Sequence, residues 1–471
     1  MSSTHNIETE EAYSTARSRL IILVLGFSSL CASLMQSLVI PVQSQLPELL
    51  HTSAANASWV VTATLLGGAV VMPVAGRLAD LIGKRPVLIA TASLMLLGSV
   101  LCAVSDVFGI VIVGRVLQGF AMGYIPVAIS LVRDVTPPRL VNGAISGISA
   151  TLGVGGALGL PIAAWMVQYY SWNMLFWLAA TLAAIMVVLA ATLIPGVKPA
   201  KSGRFDYLGA IGLAAALVAI LVGVTKGNEW GWASISTLGL IGLGVLLLLA
   251  WGFFELKQDE PLVDLHTTVQ LPVLFTNLAA LLVGFGMMAQ TIVMPQLLQL
   301  PTETGYGLGQ SMLQTGLWMA PSGLMMLLFS PISSRMLTRW GGRVTLIIGA
   351  IVLAAGYVSG FFFLEQPWQL TLAGCIACAG VGIAYASMPT LILANVPRHE
   401  AASSVGVNSL MRSMGGAVAG AVMAIVLTSQ LSELGAPTEW GFKLCFLIGA
   451  GAALGGALLT SFVPRGNPAQ H

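Results

Sequence analysis

The chain has 471 residues, 56% of them hydrophobic and 8% charged, with a formal net charge of +2 and a mean hydropathy of +0.89. A water-soluble protein carries roughly 25% charged residues, so this composition excludes a soluble enzyme or a nucleic-acid-binding protein and points to the lipid bilayer. The net charge says little about partners; the placement of the charges says more.

Residues 1–19 include Glu8, Glu10 and Glu11 and read as a polar tail. The apolar run that follows is too long for a cleavable leader and lacks a small-residue cleavage site. Fourteen apolar stretches then follow in order, at 20–46, 58–76, 86–104, 107–131, 141–167, 172–194, 206–224, 233–254, 272–299, 312–332, 344–363, 368–392, 404–428 and 441–463. About 20 residues of helix cross ~30 Å of hydrocarbon. Helices are the expected element, because isolated strands would leave backbone groups unpaired in lipid. The predicted fold class is therefore an all-α polytopic membrane protein with 14 transmembrane helices.

Two polar gaps, 196–205 and 255–271, set the seventh and eighth stretches apart. The expected layout is a tail at 1–19, a six-helix bundle at 20–196, and a linker at 197–271 carrying two extra spans (206–224 and 233–254). A second six-helix bundle at 272–463 and a tail at 464–471 complete it. Sixteen of the 20 basic residues fall in alternate gaps and in the tails, among them Arg77, Lys84, Arg85, Arg133, Arg139, Arg335, Arg339, Arg343 and Arg398. Basic loops stay in the cytoplasm, so both termini are expected there. Lys226 stands in an opposite gap, while Arg115 and Arg412 lie inside spans.

A faint repeat relates the halves. Gly76-Arg-Leu-Ala-Asp-Leu-Ile-Gly-Lys-Arg85 follows the second stretch, and Ser334-Arg-Met-Leu-Thr-Arg-Trp-Gly-Gly-Arg343 follows the tenth. Paired halves with a midplane binding site are a recurrent transporter design. The five cysteines all fall in apolar stretches and read as small packing residues, Cys375 and Cys378 included, although they form a C-x-x-C. The histidines lie in tails or loops, and no nucleotide-binding loop or zinc-protease signature is present. Neither metal nor cofactor is expected, and ATP-driven transport or membrane-embedded catalysis is disfavoured.

The first repeat loop resembles the G-x-x-x-D-x-x-G-[RK]-[RK] motif of the major facilitator superfamily at Gly76, Asp80, Gly83, Lys84 and Arg85. Arg115, Gln118 and Gly119 resemble its R-x-x-Q-G motif. Gly153, Gly155, Gly156, Gly159 and Pro161 resemble a partly degraded antiporter motif, and the stretch 380–420 resembles the late helices of the 14-helix drug:proton antiporter family. That family usually carries an Asp in its first helix, about nine residues before a proline. Counting back from Pro47 reaches Leu38, with no acid nearby.

The resemblance implies a bacterial multidrug exporter of the cytoplasmic membrane that works by alternating access and H⁺ antiport, as a monomer with small-molecule substrates. The residues expected to gate it are Gly76, Asp80, Gly83, Lys84, Arg85, Asp134, Gly159 and Pro161. Asp80 is expected to face the start of the thirteenth span near Ser403 or Ser404, with Lys84 and Arg85 pairing with acids such as Asp134. Residues expected to line the cavity or couple transport are Gln36, Gln43, Arg115, Gln118, Tyr124, Asn277, Gln290, Trp318, Tyr385, Asn408 and Arg412. A buried cation is costly unless it faces a polar interior, so Arg115 and Arg412 are either structural or functional, and both readings stand. No Asp, Glu or His lies mid-span, which leaves Asp134 and Asp106 as poor proton carriers and keeps transport without a first-helix proton site as an alternative. Two buried arginines without an acid favour neutral or anionic substrates.

Overall fold

A computed structural model describes residues 15–39, 42–43, 45–199, 203–432 and 435–464. The expected tails fall largely outside these residues. Thirteen helices among them are long and apolar enough to cross a bilayer. They are α1 (Thr15–Ser37), α2 (Trp59–Ile82), α3 (Lys84–Val104), α4 (Phe108–Val135), α5 (Pro138–Tyr169), α6 (Asn173–Leu193), α7 (Tyr207–Trp230), α8 (Ile235–Glu255), α9 (Leu271–Gln299), α10 (Met312–Phe362), α11 (Pro367–Asn395), α12 (Ala401–Ser429) and α13 (Glu439–Ser461). α4 tightens into a 3₁₀ turn at Phe120–Gly123.

The sequence leads one to expect fourteen spans. The difference lies in α10, whose 51 residues would extend ~77 Å at ~1.5 Å per residue, more than twice a hydrocarbon core. Its backbone leaves the helical region at Gly341 (φ 77°, ψ 171°), a conformation that glycine adopts without steric cost. The expected loop at 333–343 is thus a sharp break inside an otherwise helical element.

Two other boundaries move. α1 begins at Thr15, inside the expected tail, and ends at Ser37, well short of 46. The chain then turns and forms the short helix Leu46–Leu49. α7 continues past 224 to Trp230, which brings Lys226 into a span instead of a loop.

Burial follows the two runs of helices. One apolar core is built mainly from α1–α6, a second from α9–α13, and a smaller third joins Ala69 and Met72 of α2 to Leu213, Leu217 and Leu221 of α7, Leu262 and Val263 after α8, and Leu410 of α12. α8 turns Ile235, Leu246 and Phe253 outward, as expected for a helix apolar on all sides and bathed by lipid.

The two runs meet along α2 with α12 and α5 with α10. α5 uses small residues on two faces. Gly155 and Gly159 lie against Ser33 and Ser37 of α1, while Gly153 and Ala157 receive Met326 and Gly323 of α10. Small residues allow the close helix approach that stabilises packing within lipid. Pro161 packs on Gly316 of α10. The two expected gating residues of this helix therefore face different partners: Gly159 bears on α1 and Pro161 on α10.

Candidate functional site

The end of the molecule that carries the basic connections also carries a close backbone contact between the two runs of helices. A Cβ on Gly76 would collide with the backbone of Ala402 and Ser403 at the start of α12. One turn later Asp80, itself buried, accepts the Ala402 N–H at 3.1 Å and the Ser403 N–H at 2.8 Å. These N–H groups are among those that a helix start leaves without partners. A carboxylate in this position gains ~0.3–1 kcal/mol from the helix dipole, and up to ~2 kcal/mol when partly buried. Ser403 Oγ in turn donates to the Leu262 carbonyl at 3.2 Å.

Gly83 ends α2 with φ 96°, which frees Lys84 to open α3. Lys84 donates to the Asp134 carboxylate and, at 3.2 Å, to the Ser130 carbonyl. Arg85 forms no ion pair with an acid among the described residues. Its guanidinium donates to the Ala191 carbonyl in the last turn of α6, where unpaired carbonyls and the helix dipole attract a cation.

The second basic connection repeats this geometry. Gly341 provides the break, and Arg343 donates to the Ser461 carbonyl at the end of α13. Ser334 and Thr338 face the start of α5, where Asn142 Nδ2 donates to Thr338 Oγ1 at 3.2 Å. Each basic connection thus touches the first turns of a helix from the other run.

The polar residues expected in a central cavity divide into two groups. Arg115 and Gln118 are sealed inside the first core. Arg115 Nε donates to the Val60 carbonyl at 2.9 Å, its Nη1 donates to Gln118 Oε1 at 2.7 Å, and Gln118 Nε2 reaches Ser99 Oγ at 2.8 Å. This chain ties α2, α3 and α4 together. Tyr124 is fully enclosed in the same core. Gln36 is half-buried against the Met122 sulfur. Gln43 lies beyond the end of α1 and is exposed, so it forms no part of a helix wall.

The second group sits in the later helices. Asn408 Nδ2 donates to Asn277 Oδ1 at 3.0 Å, linking α12 to α9. One turn on, the Arg412 guanidinium lies 4.7 Å from the centre of the Tyr385 ring of α11 and donates to Ser409 Oγ at 3.3 Å. Gln290 donates to the Gly374 carbonyl at 3.3 Å, with the Cys378 sulfur at 3.7 Å. Trp318 Nε1 donates to Gln310 Oε1 at 3.0 Å near the start of α10. The structure brings Asn277, Asn408, Arg412 and Tyr385 together and keeps Arg115 apart from them.

Sequence reasoning missed two buried charges. Lys226 of α7 is enclosed, with its ammonium donating to the Ala55 carbonyl (3.2 Å), Ser58 Oγ and Glu229 (3.0 Å), 4.8 Å from the Trp59 ring. Glu229 three residues later was the available signal, since i,i+3 residues share a helix face. Glu255, at the end of α8, is equally buried and accepts the Val263 N–H at 2.8 Å.

The model of the Major Facilitator Superfamily matches residues 25–420 and 276–471. The chain belongs to that superfamily. It is a multi-pass membrane transporter. The transporter is 28% identical over 428 residues to a protein of Mycobacterium tuberculosis called multidrug resistance protein B homolog, covering 88% of this chain and 77% of that one. It is 26% identical to the tetracenomycin C resistance and export protein of Streptomyces glaucescens, covering 83% and 72%. Two solved structures share its fold at a TM-score of 0.67. The human organic anion transporter MFSD10 is 15% identical, covering 94% of the transporter and 99% of that chain. The proton:xylose symporter XylE is 13% identical, covering 96% and 97%.

Proposed function

We propose that this transporter exports small amphiphilic molecules across a bacterial cytoplasmic membrane by alternating access and H⁺ antiport, with its termini and basic connections in the cytoplasm. The observation that carries the reading is the Asp80 contact with the first turn of α12. It joins the two runs of helices through two hydrogen bonds that a rocking motion would break and remake. The Asn142–Thr338 contact does the same at the other seam. Export is supported by the names of the resistance and export relatives.

The substrate reading rests on Arg412. Its cation is stacked on Tyr385 and bonded to Ser409, and no ion pair joins it to an acid among the described residues. A cation without a counter-charge favours a neutral or anionic guest over a polycation. Met287 and Met294 on α9 offer adaptable apolar surface in the core that also holds Tyr385.

The deciding experiment is flux in inside-out vesicles with an imposed pH gradient, using a panel of neutral, anionic and dicationic dyes. Uptake of neutral or anionic compounds driven by an acidic interior supports the reading. Preferential transport of a dication overturns the substrate claim, and flux indifferent to the gradient overturns the antiport claim. In the latter case gradient-independent transport is the surviving reading.

A further inference from the structure

Among the acids of the described residues, Asp206 and Glu255 form a neighbouring pair; Glu400 also leaves a buried oxygen, Oε2, without a hydrogen-bond partner, but its Oε1 lies 3.3 Å from His399 Nε2. Both oxygens of Asp80 accept backbone N–H groups. Asp134 is paired with Lys84, Glu229 with Lys226 and Glu439 with Lys443, and Asp106 accepts from Asn173 at 3.2 Å. Asp206 and Glu255 each have one oxygen engaged. Asp206 Oδ1 accepts the Gly209 N–H at 2.8 Å, capping α7, and Glu255 Oε1 accepts the Val263 N–H at 2.8 Å. The remaining oxygen of each, Asp206 Oδ2 and Glu255 Oε2, is shielded from solvent and has no hydrogen-bond partner among the described residues.

These two oxygens lie over the same backbone atom. A Cβ on Gly209 would collide with both. Trp251 closes the neighbouring side, donating its Nε1–H to the Gly209 carbonyl at 2.8 Å. No cation forms an ion pair with either carboxylate among the described residues. Arg77 of α2 is the cation that acts on Glu255; the other charged groups of the adjoining segments are Arg204 before α7, Lys257 just after α8, and Asp259, Glu260 and Asp264 beyond it. His399 and Glu400 stand before α12. Glu260 is engaged with the Arg204 N–H, and Asp264 caps Thr267 at 3.1 Å. Two acceptors crowded over one glycine without a donor repel when both are ionised, and a single proton held there relieves the repulsion.

The pair is also wired to the inter-half contact. Glu255 holds the Val263 N–H; the adjacent Leu262 carbonyl accepts from Ser403 Oγ at 3.2 Å; and the Ser403 N–H binds Asp80 at 2.8 Å. Leu262 and Val263 are buried against α2, α7 and α12.

We propose that Asp206 and Glu255 bind one proton between them, forming a protonation site in the helix pair α7–α8, and that its release weakens the Asp80 contact through Leu262 and Val263. On release, the shared O–H bond breaks, the proton passes to water at the basic end, and two carboxylates remain. Their repulsion separates the start of α7 from the end of α8 and slackens the segment that holds Ser403. As a statement about coupling this rests on the proton-antiport reading. As a statement about the α2–α12 contact it is tested on the purified protein without substrate or gradient, so the two can fail separately.

The test is an infrared pH titration of the full-length protein in detergent, with Glu255→Gln and Asp206→Asn as variants. It is joined to a spin-label distance across the α2–α12 seam, between Ile82→Cys and Arg398→Cys, both exposed positions, with the native cysteines replaced by alanine. The expected result is a protonated-carboxyl C=O band at neutral pH that is missing from Glu255→Gln and altered in Asp206→Asn. The separated population at the 82–398 seam is expected to rise about tenfold as the proton leaves, the factor that corresponds to one pKa unit, and to become pH-independent in Glu255→Gln. A band that survives in Glu255→Gln overturns the shared proton. An 82–398 distance that ignores pH in the otherwise unsubstituted protein, or follows it equally in Glu255→Gln, overturns the link to the contact. Asp206→Asn decides the first point if Glu255→Gln fails to fold.

Discussion

Arg85 and Arg343 occupy equivalent places in the two basic connections: each stands two residues after a glycine with positive φ, and each donates to a carbonyl in the last turn of a helix, Ala191 of α6 and Ser461 of α13. The internal repeat is therefore a repeat of hydrogen bonding as well as of spacing. A charged donor on a carbonyl contributes ~1.5–3 kcal/mol when well shielded, and these half-exposed arginines contribute less. Arg85→Ala and Arg343→Ala are each expected to lower the melting temperature in detergent by a few degrees. The double variant should show the sum, because the sites are separate and share no partner. A double variant no worse than either single would refute two independent clasps.

Gly76 is the position where a single methyl group tests closure. Its missing Cβ is the space occupied by Ala402 and Ser403. Gly76→Ala is expected to fold, since nothing within its own helix obstructs alanine, but to hold α2 away from α12. Accessibility of a cysteine introduced at Ser404 to a water-soluble maleimide should rise several-fold, and export should fall about tenfold or more. Gly109→Ala, at a position with open space around it, should change neither. Equal labelling in the two variants would rule out a steric role for Gly76.

Asp80→Asn keeps the shape and removes the charge. An amide carries a single acceptor oxygen, so one of the two N–H groups of Ala402 and Ser403 loses its partner. The loss is ~1–3 kcal/mol, enough to shift a closed–open equilibrium about 5- to 150-fold. Pulsed EPR distances across the α2–α12 seam are expected to shift to the separated form, with the melting temperature nearly unchanged. A lowered melting temperature with an unchanged distance distribution would mean that Asp80 stabilises the fold and does not govern closure.

The Asp80 contact was legible in the sequence because the motif spacing places an acid one turn after a glycine that admits another helix, and Ser403 was already among its expected partners. The end of α1 was not legible. Leu38, Val39, Val42 and Leu46 are buried, so the turn they form is as apolar as the helix before it, and hydropathy does not separate the two. Lys226 and Glu255 were misplaced for the opposite reason. A charge at the rim of a span resembles a loop residue until its partners are known, and Trp59 and Val263 come from other segments of the chain. Arg115 was correctly read as buried, but which way a buried arginine faces depends on packing. Here the buried Val60 carbonyl in the first turn of α2 accepts from Arg115 Nε and holds the side chain in the first core.

Arg115 and Arg412 are both buried cations, and their surroundings predict opposite phenotypes. Arg115 fixes three helices through Val60, Gln118 and Ser99. Removing it leaves the buried Gln118 oxygen without its donor and takes the tie from α4 to the Val60 carbonyl away, a loss of ~3–5 kcal/mol on the scale of broken buried charge networks. Arg115→Ala is therefore expected to reduce yield and melting temperature severely. Among the described residues Arg412 has one side-chain hydrogen bond, at 3.3 Å, and a ring to lean on, with cation–π contacts contributing ~0.5–2 kcal/mol. Arg412→Ala should fold with a melting temperature within a few degrees of the unsubstituted protein and lose affinity for anionic substrates about tenfold or more, while neutral substrates are affected less. Arg412→Lys, which keeps the charge but lacks the planar group that stacks on Tyr385, should recover only part of the loss. Tryptophan-fluorescence binding titrations beside thermal melts separate the two arginines. If Arg412→Ala proved as unstable as Arg115→Ala while binding by the surviving fraction stayed normal, Arg412 would be a structural residue, and the preference for anions would need another source.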